Sequence, residues 1–580
     1  MCGILGHISK NINKESFKLL LNKLGHRGPD DSGIFFQNGN IALGQTRLSI
    51  IDLSADGHQP MISNCGNYVI IFNGEIYNYQ EISTDLLKKK YQFNSSTDTE
   101  VILNGFIEYG SEIVNKLNGM FVFAIYNIKK NELFLARDRS GIKPLYYYDC
   151  GESLIFSSEI RVLKSFSNEI NTESKVLCLT FGYIPEPNTI YKNIKSFPAG
   201  YYAYYKNNNL TFNKFSSYEF LPKLNDSYNS IVSNVKTLLH NSVKRHLISD
   251  APIGTFLSGG LDSSAITAVA AQYRDELNTL SLIFDVQKYS EETYQDLVVK
   301  RYNTKHTKYL IDEKYFLDSI NDFIDSIDQP TCDGMNTFLV SKAARDVGLK
   351  TVLSGLGGDE IFYGYPSFKF MGKLKAASFL PDAITDTLGR YAKLKKLKFL
   401  KYDFGLKHYL PVRGIFNADE ISKILNISEI EIYSIVNNFF IENYNDFLCD
   451  SVIDEAGFCE LNLYMKNQLL RDSDVFGMAN SLEIRVPFLD RELVDYALRI
   501  QPKLKFDNKI NKKILADAVK PLLPSELFTR KKMGFTMPFD NWIRSNIDEF
   551  GFNKELKQKF LDNKIHWSRI WLLYILGKFN

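Results

Sequence analysis

The chain has 580 residues, 44% of them hydrophobic, and a formal net charge of +2. That length calls for more than one domain with ample material for buried cores, and the near-neutral balance argues against a dedicated nucleic-acid binder. Seven cysteines without a C-x-x-C pair fit a reducing compartment better than a disulfide framework or a zinc site. No apolar run reaches the ~18 residues of a spanning helix and no cleavable signal is legible, so a cytoplasmic location is expected.

In chain order, the opening MCGILG places a cysteine at position 2. Removal of Met1 would leave Cys2 with a thiol nucleophile and a free α-amine, whose pKa of about 7.7–8.0 lets it accept and return protons near neutrality. The alternative is a small apolar residue opening a first strand. Residues 1–205 alternate short β-rich runs (NYVIIFNG, GMFVFAIYN, NELFLARD) with two helical stretches, which predicts a sandwich of two antiparallel sheets covered by helices. Within it lie HRGPDD (His26–Asp31), QTRLSIID (Gln45–Asp52), FNGEIYNY (Phe72–Tyr79) and STDTEVI (Ser96–Ile102). Taken alone, Asn73-Gly74 reads as a tight hairpin turn after NYVIIF. An Asn-rich hairpin and a polar join follow, which place a boundary between Tyr205 and Leu224.

From Ser227 on, helices alternate with apolar strands (GTFL, TLSLIF, HTKYL, KTVLSG), the pattern of a parallel sheet with helices on both faces. IGTFLSGGLDSSAITAVAA (Ile253–Ala271) is a strand, a Gly-rich turn and a helix, so N–H groups and hydroxyls gather at a helix N-terminus that suits an anion. The chain holds no G-x-x-x-x-G-K-[ST], and Phe256 stands where a nucleophile elbow needs glycine, so Ser258 is expected to bind phosphate rather than attack a substrate. LKTVLSGLGGDEIFYGY (Leu349–Tyr365) repeats the strand-to-turn pattern with Asp359 and Glu360. Asp262 and Asp359 facing a shared pyrophosphate would make a magnesium pair. After Phe368 the sequence reads as largely helical, and 368–410, with KLKAAS and KLKKLKFLK, reads as added helix with a basic, solvated face. Lys509, Lys512 and Lys513 form a basic cluster that would also suit a solvated helix face.

Taken together, the four N-terminal strings resemble the N-terminal-nucleophile (Ntn) glutaminase domain of class II glutamine amidotransferases, an αββα sandwich. SGGLDSS resembles the pyrophosphate loop of ATP pyrophosphatases, of the adenine nucleotide α-hydrolase type. With RDSDVFGMANSLEIRVPFLD (Arg471–Asp490) and KINKKIL (Lys509–Leu515), nearly the whole chain resembles the glutamine-hydrolysing asparagine synthetase family. The resemblance implies a glutaminase at 1–205 and an ATP-dependent synthetase at 206–580 with a helical C-terminal part. It makes Cys2 the nucleophile and Asn73 and Gly74 the oxyanion hole. It assigns glutamine binding to Arg47, Leu48, Ser49, Ile50, Ile51, Asn73, Gly74, Glu75 and Asp98, with Arg47 on the α-carboxylate and Glu75 and Asp98 on the ammonium. His26 is given a structural role.

ATP would contact Leu257, Ser258, Gly259, Gly260, Leu261, Asp262, Ser263, Ser264, Leu282, Ser354 and Gly355, with Leu257 and Leu282 flanking adenine through backbone groups. Lys512, chosen by its position before KIL, would stabilise the adenylation transition state. The implied substrates are glutamine, ATP with Mg2+, and a carboxylate acceptor, with aspartate favoured. A homodimer is compatible with the resemblance. One departure is Leu356, which stands in SGLGGDE where the best-known asparagine synthetases carry glutamate. Relatives that amidate sugar uronates in surface-polysaccharide synthesis resemble the chain in this loop, so a uronate acceptor is the alternative. A non-catalytic nucleotide- or glutamine-binding relative is the alternative of another class. Retention of Cys2, Asn73, Gly74, Asp262 and Asp359 counts against it.

Overall fold

The computed structural model describes residues 2–579 except 378–380, 382–383, 385–386, 388, 390–391, 403–405, 445–446, 448, 450, 507–510, 531–533 and 535–536. Twelve strands form its first part: β1 (Cys2–Ile8), β2 (Asp31–Gln37), β3 (Ile41–Arg47), β4 (Met61–Ile62), β5 (Tyr68–Ile76), β6 (Gly119–Asn127), β7 (Glu132–Arg137), β8 (Tyr146–Asp149), β9 (Leu154–Ser157), β10 (Ile194–Ser196), β11 (Tyr201–Lys206) and β12 (Asn209–Lys214). They make two six-stranded antiparallel sheets, ordered β10-β8-β9-β1-β3-β2 and β12-β11-β7-β6-β5-β4. Ile4, Leu43, Val69, Ile71, Val122 and Phe156 fill the space between the sheets. The outer face of the second sheet carries Ile70, Phe72 and Phe123 against Ile102 of the helix Asp98–Tyr109. Burial on both faces is why YVIIF reads as an unbroken apolar run rather than an alternating one.

Asn73-Gly74 is no turn: β5 stays paired with β6 through Asn73↔Val122, Gly74↔Phe121 and on to Ile76↔Gly119. Ladder hydrogen bonds and a two-sided apolar environment outweigh the turn preference of the dipeptide. The second antiparallel sheet ends in the Asn-rich hairpin, where β12 pairs with β11 from Tyr201↔Lys214 to Lys206↔Asn209.

The second part holds a five-stranded sheet of β13 (Ile253–Phe256), β14 (Asn278–Phe284), β15 (Lys305–Ile311), β16 (Thr351–Leu353) and β17 (Glu483–Arg485). Its order is β15-β14-β13-β16-β17, and every neighbouring pair is parallel. The chain builds outward from β13 in one direction, then returns to add β16 on its other side. That switch point opens a crevice at the carboxyl ends of β13 and β16, where ligands of open α/β sheets bind. Both Gly-rich loops leave the sheet there.

The two parts share a core. Leu48, Ile50, Tyr77 and Met120 from the sandwich belong to one apolar cluster with Leu257, Leu353, Phe488 and Leu489 of the second part. After Phe368 the described residues are largely helical, as expected. In the added stretch Lys398 pairs with Asp419 at 2.9 Å and Lys395 with Glu420 at 3.6 Å, so part of its basic face is met by the chain's own acids. Of KLKAAS, the first five residues lie in the helix Met371–Ala377, while Ser378, like Lys509, lies outside the described residues.

Candidate active site

Cys2 begins β1, buried, directly opposite Arg47 on β3. Its backbone N donates to Asn73 Oδ1 at 3.0 Å. That bond fixes the Asn73 amide: with the oxygen committed to Cys2, the Nδ2 group is fully buried and has no partner among the described residues. A buried, oriented, unspent donor beside a nucleophile is what an oxyanion hole requires. The next residue must be glycine. Gly74 has φ +155°, and a Cβ there would lie 2.1 Å from Met120 O. Burial pushes the Cys2 thiol up, while the Leu48 N–H and the Arg47 guanidinium pull it back.

The glutamine-binding candidates gather around this point in different ways. Arg47 spends its guanidinium on its own loop, with Nη1 donating to Ser54 O at 3.0 Å and Nη2 to Asp52 O at 2.5 Å and Ile51 O at 3.3 Å. It therefore shapes the 48–54 segment, and pairing with a substrate carboxylate would need these bonds to rearrange. Leu48 and Ile50 turn their side chains into the core shared with the second part. The Ser49 N–H is held by Asp30 at 2.8 Å and Ile51 is buried, so these four contribute shape rather than side-chain chemistry. Asp98 opens its helix and accepts from Ile76 N at 2.9 Å; burial raises its carboxyl to about 6. Glu75 faces the second part, 3.3 Å from Arg485 Nη2, and burial pushes its carboxyl well above the usual range.

His26 is held at both ring and carbonyl. Its Nε2 meets Glu159 at 2.8 Å, and Ser481 Oγ donates to its carbonyl at 2.7 Å. Its neighbour Arg27 is fully buried and joins Cys2 O (3.1 Å), Glu159 (3.0 Å) and Asp474 (2.6 Å). Arg27 and Asp474 were invisible as a pair in the sequence.

At the nucleotide crevice, β13 leads into Leu257–Gly260 and the helix Leu261–Ala270. Ser258 Oγ and Ser263 Oγ lie 2.9 Å apart, and Gly260 N donates to Ser258 Oγ at 3.3 Å, so hydroxyls and N–H groups line the helix entrance. Ser264 is fully buried, and Leu261 packs half-buried against the shared core. Leu257 N is bonded to Leu280 O at 2.9 Å and its carbonyl accepts from Ser281 Oγ at 2.5 Å. Leu282 sits where β14 projects beyond its last pair with β13, Phe256↔Leu280. Of the two, Leu282 has the backbone edge turned past the neighbouring strand, while the Leu257 backbone is already engaged.

The second loop packs directly on the first. A Cβ at Gly355 would lie 2.8 Å from Ser263 N, and one at Gly358 would lie 2.7 Å from Asp262 Oδ1, so glycine permits the approach. Ser354 N donates to Arg485 O at 2.8 Å. Leu356 is half-buried and packs against the shared core. Lys512 resolves the basic cluster. It is buried, adopts φ +52°, and bonds Asp262 Oδ2 and Asp359 Oδ1, the latter at 2.7 Å. Burial would lower its pKa, but the two carboxylates more than offset that and keep it charged. A lysine in left-handed backbone geometry is a costly conformation of the kind that persists at functional sites. Lys513 instead lies over the Tyr228 ring at 5.3 Å. Arg530, which the sequence reading passed over, donates to Gly259 O at 2.6 Å and pairs with Glu291.

Beside this centre a cleft of about 600 Å3 is lined by Tyr365, Phe370, Lys373, Lys396 and Arg413. Tyr365 Oη donates to Glu360 at 2.6 Å, tying the cleft wall to the residue after Asp359. Arg413 is clasped by Glu460 at 2.7 Å and lies over the rings of Tyr365 and Tyr464. Glu460 and Tyr464 project from a π-helical segment, Glu460–Leu470, a geometry frequent at functional sites.

Comparison with known proteins agrees with this division. Residues 1–216 match a glutamine amidotransferase domain family, and residues 234–564 match the asparagine synthase family. Asparagine synthetase [glutamine-hydrolyzing] 1 of Bacillus subtilis is 31% identical over 572 residues, covering 95% of this chain and 89% of that one. A putative asparagine synthetase [glutamine-hydrolyzing] 2 of Methanocaldococcus jannaschii is 38% identical over 397 residues, 63% of this chain and 76% of that one. Amidase chry2 of Gibberella zeae is 26% identical over 604 residues, 93% of this chain and 89% of that one. With a synthase match over more than half of its length, the chain belongs to the asparagine synthase family, and its N-terminal part to the glutamine amidotransferases.

Proposed function

We propose that the chain is a glutamine-hydrolysing asparagine synthetase that converts ATP, L-aspartate, L-glutamine and water to AMP, pyrophosphate, L-asparagine and L-glutamate. The observation that carries this reading is Lys512, which bonds Asp262 of the first ATP loop and Asp359 of the second at one point. In the glutaminase, the Cys2 thiolate attacks the substrate amide carbon. Asn73 Nδ2 and the Gly74 N–H receive the charge that develops on oxygen, and the Cys2 amine, freed by loss of Met1, carries the proton. Ammonia released there passes through the shared core to the second centre, where confinement keeps it neutral.

In the synthetase, the acceptor carboxylate attacks the α-phosphorus and displaces pyrophosphate, and Lys512 stabilises the charge on the departing group. Asp262 and Asp359 fit Mg2+: they offer hard oxygen donors from two facing loops, and no cluster of three or more metal-binding side chains occurs among the described residues, so phosphate oxygens and water would complete the shell. When bound, that ion supplies charge neutralisation at the pyrophosphate. We place the domain boundary after β12, within the join that precedes the helix Tyr228–His246.

A second reading, amidation of a sugar uronate, is favoured by two observations: Leu356 in place of the expected carboxylate, and a cleft, with Lys373 and Lys396 among a largely apolar lining, much larger than aspartate needs. The deciding measurement is pyrophosphate release by purified enzyme with ATP, Mg2+ and ammonium, offered aspartate or a uronate-bearing nucleotide sugar. Aspartate is expected to drive release. Release that ignores millimolar aspartate and responds to the uronate would overturn the first reading. Leu356→Glu sharpens the choice: it should be tolerated with aspartate but should damage turnover of a uronate, which an added half-buried carboxylate would repel.

A further inference from the structure

Arg485 touches the machinery of both centres. Its carbonyl accepts from Ser354 N at 2.8 Å, and it stands opposite Leu353 where β17 pairs with β16, so its main chain anchors the start of the second ATP loop. Its fully buried guanidinium points the other way. Nε donates to Glu483 Oε1 at 2.5 Å, Nη1 to His246 O at 2.7 Å and Ile248 O at 2.5 Å, and Nη2 lies 3.3 Å from Glu75 Oε2. Glu75 is the residue after Gly74.

Three carboxylates crowd this guanidinium: Glu75, Asp98 and Glu483 are all buried and all feel Arg485, and the N-terminal amine and Lys143 also act on Glu483. Glu483, though part of the synthetase, is close enough to act on the Cys2 thiol as well. A substrate ammonium at Glu75 and Asp98 would supply a further cation there and free Arg485 Nη2 from Glu75, leaving the guanidinium to Glu483, which Nε already bonds.

We propose that Arg485 is a positioning residue that couples the two centres, so that glutamine and ATP bind cooperatively. Glutamine draws Glu75 away, the guanidinium settles on Glu483, and the adjustment reaches Ser354 through the main chain of the same residue. The proposal rests on the glutamine site being where Cys2, Asn73 and Asp98 place it. By linkage, each ligand must tighten the other by the same factor.

The test uses the full-length Cys2→Ala protein, which binds glutamine without turning it over. Calorimetric titration of glutamine with and without saturating ATP and Mg2+, and of ATP with and without glutamine, should give matching factors of about fivefold or more. In the same background Arg485→Gln and Glu483→Gln should bring both factors to one while each ligand still binds alone. Asp474→Asn, which breaks an equally buried contact between the two parts without touching Ser354 or Glu75, should keep the parent's factor. If Arg485→Gln does not fold, Glu483→Gln, equal in size, carries the test. Equal affinities with and without the second ligand in the parent, or coupling retained within twofold in Glu483→Gln, would overturn the proposal. Failure of glutamine to bind the parent at all would overturn the site itself, and the proposal with it.

Discussion

At the glutamine centre the working groups are neutral donors, held by the backbone of two sheets and waiting unspent. At the nucleotide centre they are opposite charges held against one another. Asn73 Nδ2 is buried with no partner among the described residues, and its orientation is fixed by one bond to Cys2 N. Lys512, Asp262 and Asp359 instead close on themselves. The oxyanion hole can receive developing charge without moving a charged group, whereas phosphates and a cation must enter the second centre before its ion pairs can be redistributed. Preorganisation in one case comes from β5 and β1, and in the other it is completed by the ligand.

The sharpest way to separate the centres is Cys2→Ala. It should lower glutamine-dependent product formation by about a thousandfold or more and leave synthesis from high ammonium largely intact. Parallel loss of both activities would show that the sandwich does not act as a separate glutaminase. Next in size, Asp262→Asn or Lys512→Ala should cut pyrophosphate release by about 10²–10³-fold and spare glutamine hydrolysis, since the first removes a charged oxygen donor facing the phosphates and the second the cation that meets the departing pyrophosphate. Release of ADP and phosphate by the wild type would refute the pyrophosphatase assignment altogether. Asn73→Ala should reduce glutaminase kcat by about 10²-fold with little change in KM, because its donor acts on charge that develops during reaction.

Legibility in the sequence followed the same division. Cys2, Asn73, Gly74 and the two loops could be read because each lies in a short string whose chemistry is local. Strand period and Gly-rich punctuation likewise exposed the sandwich and the parallel sheet. Arg27, Arg485 and Arg530 could not be read, because their partners lie far away in the chain. Arg27 meets Asp474 across 447 positions, and Arg530 meets Glu291 across 239. Nothing local marks such pairs, and HRGPDD looked like a loop although its arginine is a fully buried link between the two parts. The Asn73-Gly74 turn preference misleads for a related reason: ladder pairing with Val122 and Phe121 is decided by residues nearly fifty positions on.

The smallest effect concerns pH and tests whether the glutamine centre is as charge-neutral as its donors suggest. Asp98 is its exception: burial raises its carboxyl to about 6, and Ile76 N–H bonding only partly offsets that. Below that value the free enzyme carries a protonated Asp98, which cannot hold an ammonium. The logarithm of kcat/KM for glutamine should therefore fall toward acid with unit slope below about pH 6, since this ratio reports the free enzyme. The stability consequence has the opposite sense. A carboxyl whose folded pKa lies above its unfolded value makes folding more favourable at acid pH, and that contribution is lost as pH rises from about 4 through 6. Asp98→Asn should remove the inflection from both profiles while lowering kcat/KM by about tenfold at pH 8, the scale of one charge-assisted hydrogen bond. An inflection that survives Asp98→Asn would assign the titration to another group, with Glu75, paired to Arg485 at 3.3 Å, the first to replace.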